Sequence, residues 1–196
     1  MKKLRELNVR RICLWAGICL LAVAAVVMTL WYSGMEISQQ KAAGYVQMIR
    51  TLIPEPQGAV VEERRDNTMS VLSVDGTNFV GILEMPGFDS ALPVCADWGA
   101  VSQYPCRLGG SVYDRTIQIG ATTQKGQYDF YREISAGDAV YFTDMEGNRF
   151  AYQITDIRYE QHADQNALTQ KDAALTLFIK NIYAFEYVIL FCNTVE

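Results

Sequence analysis

At 196 residues the chain has room for one domain and a short appendage. Half of its residues are hydrophobic and its formal net charge is −5, which excludes nucleic acid as a partner, because phosphate neutralisation needs clustered Lys and Arg. One histidine and five cysteines without CxxC or Cys/His spacing point to no metal site and no cofactor.

Taken in chain order, residues 1–11 form a basic tail, with Lys2, Lys3, Arg5, Arg10 and Arg11 against Glu6. Residues 12–32, Ile12 to Tyr32, carry no charge over 21 positions, the length a helix needs to cross a bilayer. Ala22-Val23-Ala24 mimics a cleavage site, but large apolar residues continue to Tyr32, so the block reads as an uncleaved transmembrane anchor rather than a signal peptide. The tail carries about +4 and the remainder about −9. Positive charge stays on the cytoplasmic side, so the expected topology is a single-pass cell-membrane protein with its N-terminus cytoplasmic and its acidic body extracytoplasmic. Cys13 and Cys19 fall inside the anchor and act as small hydrophobes.

Residues 33–77 read as a juxtamembrane helix and linker. From Glu36 to Leu52 the apolar positions Ile37, Ala42, Tyr45, Ile49 and Leu52 form an imperfect stripe. Pro54 and Pro56 end that helix. The charged stretch from Pro54 to Thr77 reads as a spacer between body and bilayer.

From Asn78 onward (residues 78–196) the pattern changes to short β-like runs. They are Phe79–Leu83, Ala91–Val94, Thr116–Gly120, Ala139–Thr143, Arg149–Ile154, Ala174–Ile179 and Tyr187–Cys192, with a hairpin signal at Glu146-Gly147-Asn148 and one helical turn at Gln127–Glu133. Such a series predicts a mainly β protein, a closed β-barrel of about eight strands with short helices. Cys95 and Cys106 leave two readings open: a disulfide in an exported protein, or buried free thiols, the plainer one.

The order of these segments resembles the sortases, the cysteine transpeptidases of Gram-positive cell surfaces. Phe79-Val80-Gly81-Ile82-Leu83-Glu84-Met85-Pro86 is similar to the family's first strand, and Leu92-Pro93-Val94 follows in place. Ile117-Gln118-Ile119-Gly120-Ala121-Thr122 resembles the segment with the catalytic histidine, and Ala136-Gly137-Asp138-Ala139-Val140 with Tyr152-Gln153-Ile154-Thr155 is also family-like. Leu175-Thr176-Leu177-Phe178-Ile179-Lys180 resembles the segment with the catalytic cysteine, and Glu186-Tyr187-Val188-Ile189-Leu190 the one led by the catalytic arginine. The resemblance implies a groove holding Ala121, Thr122, Ile179, Lys180 and Glu186, with Ala121, Lys180 and Glu186 in place of histidine, cysteine and arginine.

Sortase-type transfer needs a thiolate that attacks a peptide carbonyl and holds the acyl group. A lysine ammonium has no lone pair for that attack, alanine cannot move a proton, and a glutamate carboxylate repels an oxyanion instead of steadying it. The expected function is a catalytically inactive, surface-tethered module that binds or scaffolds a sorting-signal peptide, a pilin-like surface protein or an active sortase. The alternative is a divergent cysteine transpeptidase or peptidase that uses a displaced thiol, Cys192 or Cys106, with His162 as the one imidazole. Asp164 and Asp172 read as a solvated face, and Lys125 as a second cation near Ala121.

Overall fold

The computed structural model describes residues 2–55, 57–58, 67–124, 126–161, 173–184 and 186–195; within the N-terminal helix it describes the side chains of 14–30 and from 40 onward. The chain divides into two units, Met1–Ile37 and Ser38–Glu196.

One helix, α1, spans Lys2–Leu52. In the first unit its described side chains, 14–30, are exposed all round, among them Leu14, Trp15, Leu20, Leu21, Met28 and Leu30. Among the described residues no helix is long and apolar enough to cross a membrane. In the second unit the last turns of α1 pack on the barrel. Ala42, Val46, Ile49 and Ile53 are buried in its core, at the helical spacing that puts them on one face. Tyr45 meets Phe79 with ring centroids 5.2 Å apart and Tyr104 at 5.8 Å. Arg50 on the helix and Arg149 on the barrel both bind Glu84, at 2.6 and 2.9 Å. The stretch from Ala42 to Ile53 at the end of α1 is therefore packed into the core of the second unit. Its stripe uses Val46 and Ile53, while Leu52 is exposed.

The strands are β1 (Gln57–Gly58), β2 (Leu72–Val74), β3 (Thr77–Met85), β4 (Ser90–Cys95), β5 (Cys106–Gly109), β6 (Ile117–Thr122), β7 (Ala139–Asp144), β8 (Asn148–Glu160), β9 (Leu175–Asn181) and β10 (Glu186–Thr194). Eight of them close a ring in the order β8-β10-β9-β6-β5-β4-β3-β7, with β7 returning to β8. Closure leaves no open edge around the core. β1 adds to β8, and β2 forms a hairpin with β3. Two short 3₁₀ turns, Pro86–Phe88 and Trp98–Ala100, sit between strands. Residues 127–133, expected as a helical turn, form successive hydrogen-bonded turns instead, such as Tyr131 N–H to the Tyr128 carbonyl at 3.1 Å.

Two expectations change here. Residues 72–74, which read as linker in the sequence, pair with β3 through a turn at Asp75-Gly76, both with positive φ (48° and 77°). That is the backbone a tight hairpin requires, and glycine reaches it without strain. The segment around Cys106 reads as connecting loop but is strand β5, short because a bulge and Gly109-Gly110 end it.

The β7–β8 hairpin is held by Asp144, 2% exposed. Its carboxylate accepts from Glu146 N–H, Asn148 N–H and Asn148 Nδ2, each at 2.9 Å, and from the Tyr113 hydroxyl at 2.6 Å. Four donors offset the cost of burying that group.

Candidate functional site

Three neighbouring strands bring the positions of interest to one edge of the barrel. β6 and β9 run parallel, β9 and β10 antiparallel, so the ends of β6 and β9 and the start of β10 lie together. Along these strands side chains alternate between two faces. The inner face carries Ile119 and Ala121, Leu177 and Ile179, Val188 and Leu190, all in the main core. The outer face carries Phe178 on β9 and Ile189 and Phe191 on β10, a second apolar cluster joined by Leu108 and Tyr187.

Lys180 is exposed at the outer end of this second face. Its registered neighbours are Thr122 on β6 and Tyr187 on β10, and residues in register on paired strands point the same way. Ala121, 2% exposed, pairs with Ile179, 0% exposed, and both belong to the core. Glu186 pairs with Asn181, one step away from the Lys180 row. The row on the outer face of the sheet is thus Thr122–Lys180–Tyr187, of which Thr122 is buried, Tyr187 half-buried and Lys180 exposed. Ala121 and Ile179, expected to line the groove, point into the barrel. Which residues of these strands face outward is decided by a one-residue offset that composition does not reveal.

A hydrogen-bonded rim surrounds Lys180. Its carbonyl accepts from Thr123 N–H at 3.0 Å. The buried side chain of Asn181 donates to the Tyr131 hydroxyl at 2.8 Å and accepts from Tyr183 N–H at 3.0 Å, while Thr123 Oγ1 donates to Asn181 Oδ1 at 3.4 Å and accepts from Ile182 N–H at 3.2 Å. These bonds fix the β9–β10 connection and the exit from β6. Thr122 is held from below: its N–H and hydroxyl both donate to Gln127 Oε1, at 3.1 and 3.2 Å. That pattern orients the Gln127 amide, whose Nε2 has no partner. Gln127 also lines a cavity of about 290 Å³ whose walls include Ala42, Phe88, Phe130 and Asp129. Among the described residues Lys180 forms no ion pair, including none with Glu186.

The floor beside this row is aromatic. Phe178 and Tyr187 stack at 4.9 Å with their planes 23° apart. Gly120, level with Phe178, leaves room for Trp98: a Cβ there would stand 2.2 Å from Trp98 Cζ3. The close approach demands glycine. Trp98 itself is 46% exposed, so part of its ring faces solvent above β6. The sequence pattern alone gives no role to Trp98, Phe178 and Tyr187; the signal available is an aromatic, Trp98, that needs a strand glycine, Gly120, beneath it.

The thiols lie elsewhere. Cys192 is fully buried in the core, and burial pushes its thiol well above the ordinary cysteine range. Cys106 is equally buried, and its Sγ donates to the Tyr104 carbonyl at 3.3 Å. Cys95 sits beside it, 1% exposed. Lys125, His162, Asp164 and Asp172 fall outside the described residues. No group of His, Cys, Asp and Glu among the described residues could hold a metal ion.

A closed eight-stranded barrel, with the candidate site at the shared edge of β6, β9 and β10, defines a mainly β class of protein. The fold is that of the sortases. The chain is similar in structure to sortase C-3 from Streptococcus pneumoniae at 18% identity, with a TM-score of 0.53 over 83% of this chain and 84% of that one. It is also similar to sortase A from Corynebacterium diphtheriae (13%, 0.52, 83% and 84%) and to the pilus-related sortase C of Group B Streptococcus (14%, 0.51, 82% and 91%). No protein-family profile and no curated protein matches the sequence. At these identities the likeness is one of fold.

Proposed function

We propose that this chain is a non-catalytic sortase-fold binding module, tethered to the cell membrane, that docks an extended peptide against the outer face of β6, β9 and β10. The observation that carries the reading is the outward row Thr122–Lys180–Tyr187, which holds a hydroxyl, an amine and a phenol where the family's chemistry needs an imidazole, a thiol and a guanidinium. Stacked Phe178 and Tyr187 with half-exposed Trp98 offer apolar contact, and Lys180, unpaired and exposed, offers a charge for a carboxylate. Sorting-signal peptides, pilin-like surface proteins and an active sortase are the ligand classes that fit. The tether rests on the uncharged block 12–32 behind five basic residues and on the all-round exposure of the large apolar side chains at 14–30. Apolar exposure of that extent is what a lipid-facing helix displays. The tether places the barrel outside the cytoplasm.

The displaced-thiol reading is weaker, because neither Cys192 nor Cys106 reaches solvent. Full-length protein in detergent, titrated with fluorescent sorting-signal peptides, tests the proposal. Binding is expected to weaken with salt and to fall about five- to fiftyfold in Lys180→Glu, a repulsive replacement of an ion pair, with no thioester capture. Peptide turnover abolished by Ala at Cys95, Cys106 or Cys192 would overturn it.

A further inference from the structure

The ring of strands is not equally strong all round. β4 and β5 pair at one position, Cys95 opposite Cys106, whereas the next shortest seam, β5–β6, carries three pairs from Cys106↔Gly120 to Gly109↔Gln118. At this seam Cys95 N–H donates to the Pro105 carbonyl at 2.8 Å. We infer that Cys95 and Cys106 are joined by a disulfide in the mature protein, a covalent clasp across the weakest seam of the barrel.

Geometry carries this. Paired strands stand about 4.8 Å apart, inside the window of roughly 4.4–6.8 Å between Cα atoms that a disulfide spans. Both residues are buried, at 1% and 0% exposure, so neither serves as a surface thiol. In the structure both thiols are free, and each perturbs the other's ionisation, Cys95 being raised and Cys106 lowered. The loop they would close, 96–105, contains the Trp98–Ala100 turn. Trp98 is the residue laid over Gly120 on the outer face. The clasp therefore holds the aromatic wall of the site as well as the barrel.

Closure is a thiol–disulfide exchange and needs a disulfide-bearing oxidant, small-molecule or protein, such as extracytoplasmic compartments maintain. The Cys106 thiolate attacks one sulfur of that donor, forming a mixed disulfide and releasing one thiolate. The Cys95 thiolate then attacks the Cys106 sulfur and displaces the second. The donor gains two electrons, the pair loses two, and the two thiol protons go to the departing thiolates.

Full-length protein from an exporting host, denatured and treated with iodoacetamide before and after reduction, tests the assignment. Cys95 and Cys106 are expected to resist alkylation until reduction, while Cys192 reacts throughout as the internal control. Chymotryptic cleavage after Trp98 is expected to give two peptides that separate upon reduction. Reduced protein, unfolded and refolded with glutathione disulfide, should regain the same link. Closing so short a loop raises the melting temperature by about 5–10 °C over the reduced chain, and Cys95→Ala with Cys106→Ala should melt with the reduced form. Full alkylation of either thiol before reduction overturns the inference, as does an unchanged melting temperature on reduction or failure of glutathione disulfide to join the pair.

Discussion

The two faces of the β6–β9–β10 sheet obey different rules. The inner face is apolar from end to end: Ile117, Ile119 and Ala121 meet Leu175, Leu177 and Ile179 with nothing polar between them. The outer face is apolar in its middle, at Phe178, Ile189 and Phe191, and then turns polar at the edge with Thr122 and Lys180. Packing explains every residue of the first face. It does not by itself explain an exposed lysine beside two stacked rings on the second face.

Breaking the inner face should cost stability and leave the ligand untouched. Leu177, 1% exposed, replaced by Ala, leaves a cavity that costs about 2–5 kcal/mol, read by urea unfolding, with peptide affinity in the folded fraction unchanged. A smaller effect follows on the outer face. Gly120→Ala drives a methyl into Trp98 and costs about 1–3 kcal/mol for the forced rearrangement. In a Trp15→Phe, Trp31→Phe background the remaining tryptophan should become more accessible to acrylamide, and peptide affinity should fall along with it.

The smallest effect on stability, and the sharpest on chemistry, comes from rebuilding. Thr122→His, Lys180→Cys and Tyr187→Arg together place imidazole, thiol and guanidinium on one outward row. Ala121→His, Lys180→Cys and Glu186→Arg divide them between faces. The first set should make the new thiol about tenfold more reactive toward iodoacetamide at neutral pH than Lys180→Cys alone, since a nearby cation favours thiolate. The second should not. Equal rates in both sets would show that register does not decide which residues meet.

Much of this was readable from the chain alone. The strands β3, β4, β6, β7, β8, β9 and β10 follow period and turn chemistry, and their order led to the eight-stranded ring. The misses have specific causes. Asp75-Gly76 is a strong hairpin signal, but it lies in a charged stretch whose composition reads as linker. β5 is four residues long and bulged, too short to show alternation. The choice between Ala121 and Thr122 turns on which face of β6 looks outward. Adjacent residues on a strand differ in that respect by everything and in sequence pattern by almost nothing. The tertiary role of Val46 and Ile53 was hidden because an isolated amphipathic stripe does not say what it packs against.

The placement of β10 has a consequence for how the molecule comes into being. This strand, the last in chain order, inserts between β8 and β9, and its centre, Val188 to Cys192, is fully enclosed. Until residues 186–194 arrive, β8 and β9 present two bare, apolar strand edges, a template for joining other chains. Synthesis that stalls before this strand leaves an aggregation-prone intermediate rather than a smaller working domain. Cellular handling of this protein must therefore shield the unfinished sheet until its final stave is available.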